Sequence, residues 1–204
     1  MARRGDELRE HMLWAAKSVF LEVGFERASM DVIAERAATS KRTLYAHFEN
    51  KEKLYLAVFE LLRELSLSKL KRPGDYSPDP EEALVLFCGR VLEGLLFAWT
   101  IRMCRLCLAE AERFPEGSAR YFDVIFVTPQ ERLSDYLKEK FALSAEGSSQ
   151  AAEQLLGRVI HPRFSRALFG LDELSEQIDE EVIRPDFDLK LVRQAVAEWM
   201  KSLA

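Results

Sequence analysis

Residues 29–54 read SMDVIAERAATSKRTLYAHFENKEKL, and the way this stretch divides decides the fold. Ser29 is an N-cap for a short helix, with Val32, Ile33 and Ala37 as its apolar face, and the pattern breaks at Ala38-Thr39-Ser40. Ser40 caps a second helix over 41–48. Its inward residues are Leu44 and Phe48 at i, i+4, which leaves Lys41, Arg42, Thr43, Tyr45 and His47 outside. Asn50 caps a third helix that opens Lys51-Glu52-Lys53. Three helices joined by tight turns form a helix-turn-helix.

The outer face of the second helix consists of hydrogen-bond donors, with no carboxylate between Lys41 and Phe48 in an acidic chain. Lysine and arginine neutralise phosphates; threonine, tyrosine and histidine reach phosphate oxygens and base edges, as a helix in a major groove requires. Ser29 and Ser40 at the caps and Lys51 at the next helix start are placed to hold the backbone of double-stranded DNA. The segment SKRTLYAHFENKEKL resembles the recognition-helix signature of the TetR family of transcriptional repressors, at Ser40, Thr43, Leu44, Tyr45, His47, Phe48, Asn50, Lys51, Glu52 and Leu54. Gly24-Phe25 and Ala34-x-x-Ala37 upstream fit as well. One position departs: the family commonly has glycine where Ala38 stands, in a turn that calls for a left-handed backbone, and alanine there costs about 1 kcal/mol.

Working outward, 204 residues, 48% of them hydrophobic, are enough to bury a real core. Residues 1–53 hold ten basic and nine acidic side chains, a net +1, so the remainder carries the rest of the overall −5. A locally basic head on an acidic body argues for nucleic-acid contact on one small face. The division expected is a helix-turn-helix over 1–50 and a helical body over 51–204.

The opening helix runs over 6–23, with Leu8, Met12, Ala16, Val19 and Val23 in one stripe and Gly24 as its stop. Residues 51–71 form one long amphipathic helix with Leu54, Val58, Leu61, Leu62 and Leu65 buried, a lever from head to body. After the Pro73–Pro80 loop, residues 84–101 are apolar almost all round and are expected as one central helix. Within it Gly89 and Gly94 leave room, and Arg90 and Glu93 stand one turn apart near Phe87, Phe97 and Trp99. This group reads either as a buried ion pair with glycines for close packing, or as a ligand cavity lined by Phe87 and Phe97 with Arg90 and Glu93 orienting a polar group.

A short helix is expected over 102–114, ended by Pro115, then a helical pattern over 116–141 kinked at Pro129. A polar loop follows over 144–149, and a helix over 150–160 that includes Leu155 and Val159. From Asp188, the residues Leu189, Val192, Val196, Trp199 and Leu203 fall at spacings of 3, 4, 3 and 4, the seam of helix packing on helix. The seam docks either on its own bundle or, with the helix over 150–160, in a two-fold dimer. The segment CLAEAERFPE and the later AAEQLLGRVIHPRFSRALFG look like the regulatory domain of the AefR-like branch of TetR regulators, which implies a dimer and a pocket without naming a ligand.

Competing chemistry is thin. Cys104-x-x-Cys107 puts two sulfurs on one helix face, and with Cys88 and His161 offers a thiol- or metal-sensing alternative, though no second pair completes a zinc pattern. No catalytic constellation is found: none of the three histidines completes a Glu-x-x-His pair, and phosphate-binding and nucleophile-elbow motifs are missing. No cofactor or metal is expected. The N-terminus lacks an apolar leader and the longest apolar run carries Arg90 and Glu93, so a cytoplasmic protein without membrane contact is expected. The sequence thus points to an all-α regulator that binds operator DNA as a homodimer and answers to a small effector; a helical protein-interaction module without DNA binding is the remaining alternative.

Overall fold

Serine and asparagine side chains set the boundaries of the short helices. In the computed structural model, which describes residues 2–179 and 182–202 and the side chains of all of these but 2–4 and 63–69, Ser29 Oγ accepts from Val32 N at 3.2 Å and Ser40 Oγ from Thr43 N at 3.0 Å. Asn50 Oδ1 accepts from Lys53 N at 2.8 Å. These caps open α2 (Met30–Arg36), α3 (Lys41–His47) and α4 (Lys51–Lys69), which follow α1 (Ala2–Arg27). Gly24, at φ +77° and ψ 169°, breaks α1 where the sequence placed its stop. Ala38 adopts φ +46°, so the turn between α2 and α3 is left-handed at the position where alanine replaces glycine.

The remaining elements are a 3-10 turn over Pro73–Asp75, α5 (Pro80–Leu96), α6 (Ala98–Ala109), α7 (Pro115–Phe122), a π-helical turn over Asp123–Val127, α8 (Thr128–Phe141), α9 (Ala145–Ile160), α10 (Arg163–Leu168) and α11 (Lys190–Lys201). The fold is all-α; among the described residues the only strand-like pairing is an isolated bridge between Phe97 and Ser175.

Two compact units emerge. One comprises residues 1–65 with 102–121, the other 66–101 with 122–204, so α4, α6 and the last residue of α7 are divided between them. In the first unit α1, α2 and α3 bury Met12, Leu13, Phe20, Ile33, Ala34 and Leu44. An aromatic cluster extends this core: the Tyr55 ring lies 5.1 Å from Phe20, 5.0 Å from Phe25, 4.9 Å from Phe59 and 4.9 Å from Phe114. Residues 102–121 therefore complete the core beneath the helix-turn-helix, with Phe114 edge-on to Phe25 at 4.7 Å. In the second unit α5 runs through the core, surrounded by Leu133, Leu137, Leu155, Leu156, Val159, Val192, Val196 and Trp199 from α8, α9 and α11.

Several expectations are corrected. Val32 is 45% exposed; the buried positions of α2 are Met30, Ile33, Ala34 and Ala37, one 3.6-residue stripe that residue 32 does not share. The apolar run over 84–101 is two helices, because Phe97 turns extended (ψ 131°) and Ala98 N donates to Ser175 O at 2.9 Å. Pro115 begins α7 rather than ending a helix at 114; lacking an N–H, it suits a first helical turn. The polar stretch over 144–149 is no loop: Ser144 caps α9 by accepting from Gly147 N at 3.0 Å, and the helix runs from Ala145.

The seam of the last helix is also resolved. Leu155, Val159, Val192, Val196 and Trp199 are buried within the chain itself, Leu189 packs against them, and Trp199 stands edge-on to Phe141 at 5.3 Å. These residues are core of their own bundle and not a surface for a partner, since intramolecular and intermolecular packing share one spacing. Leu203, and the side chain of Leu65, lie outside the described residues.

Candidate nucleic-acid interface

The exposed face of α3 is set by what the helix buries. Leu44 is fully buried and Phe48 4% exposed, and these two fix the rotation of a seven-residue helix on the core. Rotation so fixed, Lys41, Arg42, Tyr45 and His47 face solvent and Thr43 stands half-buried, with Tyr45 42% exposed. The five donors assigned from sequence thus ring the part of the helix that Leu44 and Phe48 leave outside the core, preceded by the Ser40 hydroxyl, which lies 2.7 Å from that of Thr43.

Two features of the surroundings were not legible in the sequence. Lys41 Nζ lies 2.6 Å from Asp31 in the first turn of α2, and that hydrogen bond and charge raise the lysine pKa. Both side chains are more than half exposed, so the pair is weak in water and phosphate competes for the ammonium. Arg113 is the second. It pairs with Glu26 and lies over the Phe25 ring at 4.6 Å, so the turn after α6 grips the end of α1. Only the adjacent Phe114, apolar in a charged stretch, hinted at this.

Lys51 occupies a different place from the rim phosphate site expected of it. Its ammonium donates to the carbonyls of Phe25 at 2.8 Å, Glu26 at 3.2 Å and Ala28 at 3.0 Å, and stands 4.3 Å from the Phe25 ring centre. All three N–H donors are engaged at the C-terminal end of α1, where the unsatisfied carbonyls of a helix attract a cation. Ser29 likewise serves its own helix, leaving its hydroxyl exposed at the start of α2.

In the second unit, Phe87 is fully buried, Arg90 7% and Glu93 3% exposed, and Phe97 half-buried. Glu93 Oε2 accepts from Arg90 Nη1 at 3.0 Å, and Oε1 accepts from the backbone N–H of Arg184 at 3.0 Å and its Nε at 3.3 Å. The charged pair is therefore engaged by the chain itself. The room at Gly89 is filled too: a Cβ there would lie 2.4 Å from Leu189 Cδ2.

Burial pushes the thiols of Cys88, Cys104 and Cys107 up to about 12, so at neutral pH they are protonated, small apolar side chains. Among the described residues no group of three histidine, cysteine, aspartate or glutamate side chains is placed to hold a metal ion, and no helix is long and apolar enough to cross a membrane.

Comparison with known proteins places these features in a lineage. Residues 13–58 match the family model of bacterial regulatory proteins of the tetR family, and residues 82–199 that of the AefR-like transcriptional repressor C-terminal domain. The chain is 51% identical over 55 residues to the transcriptional activator FasR of Mycolicibacterium smegmatis, a match covering 27% of this chain and 25% of FasR. The curated relatives it matches are covered over 25% to 49% of their length. In fold it resembles a TetR-family regulator from Mesorhizobium loti, with a TM-score of 0.75 at 19% identity over 98% of both chains. It also resembles the flavonoid-responsive regulator FrrA, with a TM-score of 0.73 at 26% identity over 97% of this chain and 95% of that one. The matched families and relatives are regulators of transcription rather than enzymes.

Proposed function

This chain belongs to the TetR family of bacterial regulatory proteins, and from that premise we propose that it is a dimeric transcriptional repressor which binds a palindromic operator and is released by a small apolar or amphipathic effector. The observation that carries the reading is the outer face of α3: Arg42, Tyr45 and His47 exposed together while Leu44 and Phe48 hold the helix to its core. Two such helices one turn of DNA apart, about 34–36 Å, enter successive major grooves. Lys41 and Arg42 neutralise phosphate, Thr43, Tyr45 and His47 reach base edges and sugar, and the hydroxyls of Ser29 and Ser40 contact the backbone at the groove wall.

Repression rather than activation is favoured by the kinship of residues 82–199 with an AefR-like repressor domain. The dimer uses the outward sides of α9 and α11, because their inward sides are spent on the core. A hollow of roughly 190 Å³ lies between α9 and α11, lined by Gln154, Arg158, Glu198 and Ser202 at its rim and by the core residues Leu155 and Trp199. The twofold symmetry of such a contact dictates a palindromic site. An effector that prefers one dimer geometry shifts the spacing of the reading helices, and operator affinity falls by the ratio of its affinities for the two geometries. A cytoplasmic protein, with access to DNA, is the location this reading requires.

The test is a gel shift of the full chain and of Tyr45→Ala on the DNA flanking its own gene or on a site selected from random sequence. The variant should lose selective binding while its dimer and melt stay unchanged; unchanged affinity would show that α3 is not the reading face.

A further inference from the structure

Residues 182–189 lie on α5 in an unusual way. Among the described residues between Gly170 and Lys190 there is no helix, yet residues 182–189 place a guanidinium, a backbone N–H and two aliphatic side chains on one short length of α5. Arg184 donates to Glu93 Oε1 from both its backbone N–H (3.0 Å) and its Nε (3.3 Å). Arg90 Nη1, which holds the other carboxylate oxygen at 3.0 Å, also reaches the Val182 carbonyl at 3.3 Å. One turn earlier, Leu189 and Ile183 stand where a side chain at Gly89 would be, with Leu189 Cδ2 2.4 Å and Ile183 Cδ1 3.1 Å from an added Cβ. At the next residue along α5, a Cβ added at Gly94 meets no atom within 4 Å.

A buried carboxylate beside a position that only glycine leaves open, filled by an apolar body with a donor head, is the arrangement of a ligand in its pocket. Here the occupant is the chain's own segment. We propose that residues 182–189 fill an effector site in cis, and that the effector binds by displacing them from α5; this rests on the reading above that a small effector controls the protein.

The chemistry of the vacated site selects the ligand class. When residues 182–189 leave, Glu93 keeps Arg90, Oε1 loses two donors and Arg90 Nη1 loses the Val182 carbonyl. The replacement must supply an O–H or N–H to Oε1 and an oxygen for Arg90 Nη1, because a buried polar group without a partner is costly. An anion would instead face the lone pairs of Oε1. The effector is accordingly an extended apolar molecule ending in a neutral group that both donates and accepts, such as a phenol, and not a carboxylate.

The experiment titrates 2-hydroxy-Nile red, a dye whose phenol supplies the required O–H, into the full chain and into Arg184→Met, following dye fluorescence and, in parallel, the thermal melt. Apparent affinity scales with the fraction of molecules whose site is open, so weakening the anchor should tighten dye binding about tenfold while the melt stays cooperative. In the variant 4-octylphenol should displace the dye and 4-octylbenzoate should not. Equal dye affinity in the two proteins would overturn the proposal, and equal competition by the two compounds would overturn the ligand class. Gel shifts on the same samples separate this from the regulatory reading: dye binding as expected without selective DNA binding leaves the site standing and removes the regulator. Selective DNA binding with no change in dye binding does the reverse.

Discussion

Lys51 offers the sharpest test of how the head is built, because two roles for one ammonium predict opposite results. In the structure its three donors are spent on the carbonyls of Phe25, Glu26 and Ala28, and it lies against the Phe25 ring. A hydrogen bond from a charged donor is worth about 1.5–3 kcal/mol when its partner is buried. The carbonyls at the end of α1 regain water in part when Lys51→Met removes the charge, and methionine keeps most of the packing, so the net loss is about 2 kcal/mol. For a chain of this size that lowers the melting temperature by roughly 4–8 °C. A thermal melt followed by circular dichroism measures it directly. The second readout is the salt dependence of operator binding, where each phosphate contact contributes about 0.9 to the slope of log affinity against log salt. Lys51→Met should leave that slope intact, whereas Arg42→Ala should reduce it by about 0.9. An unchanged melt together with a slope reduced by about 0.9 would refute the capping role and return Lys51 to the DNA backbone.

Two further outcomes follow from the same structure. Ala38→Gly should stabilise the protein by about 0.5–1 kcal/mol in urea melts, since the left-handed conformation costs alanine about 1–2 kcal/mol and glycine gives back part of that as unfolded-chain entropy; a destabilised variant would contradict the strain at φ +46°. The cysteines, raised from 9.0 to about 12, should react with iodoacetamide at pH 8 about a thousandfold more slowly in the folded chain than in urea. By the same linkage the unfolded chain sheds thiol protons above pH 9 that the folded chain keeps, so stability falls as pH rises from 9 towards 12. Rapid labelling of the native protein would revive the thiol-sensing alternative.

The sequence alone determined the elements whose information is local. Caps at Ser29, Ser40 and Asn50, the inward pair Leu44 and Phe48, and the donors between them lie within 26 consecutive residues, and each acts through neighbours three or four positions away. The left-handed turn at Ala38 was legible for the same reason. Tertiary structure decided what depends on distant partners. The apolar run over 84–101 carries no break of its own; Ser175 supplies it by pairing with Phe97 and Ala98. The seam of α11 satisfies its own bundle because a helix period records that a partner exists and not which molecule provides it. Lys51 has the same donors whether it faces phosphate or carbonyl, and only the arrival of the end of α1 beneath it chose between them. Arg90 and Glu93 were readable as a pair, but Arg184, ninety-one residues further along from Glu93, completes the group, and no spacing rule spans such a separation.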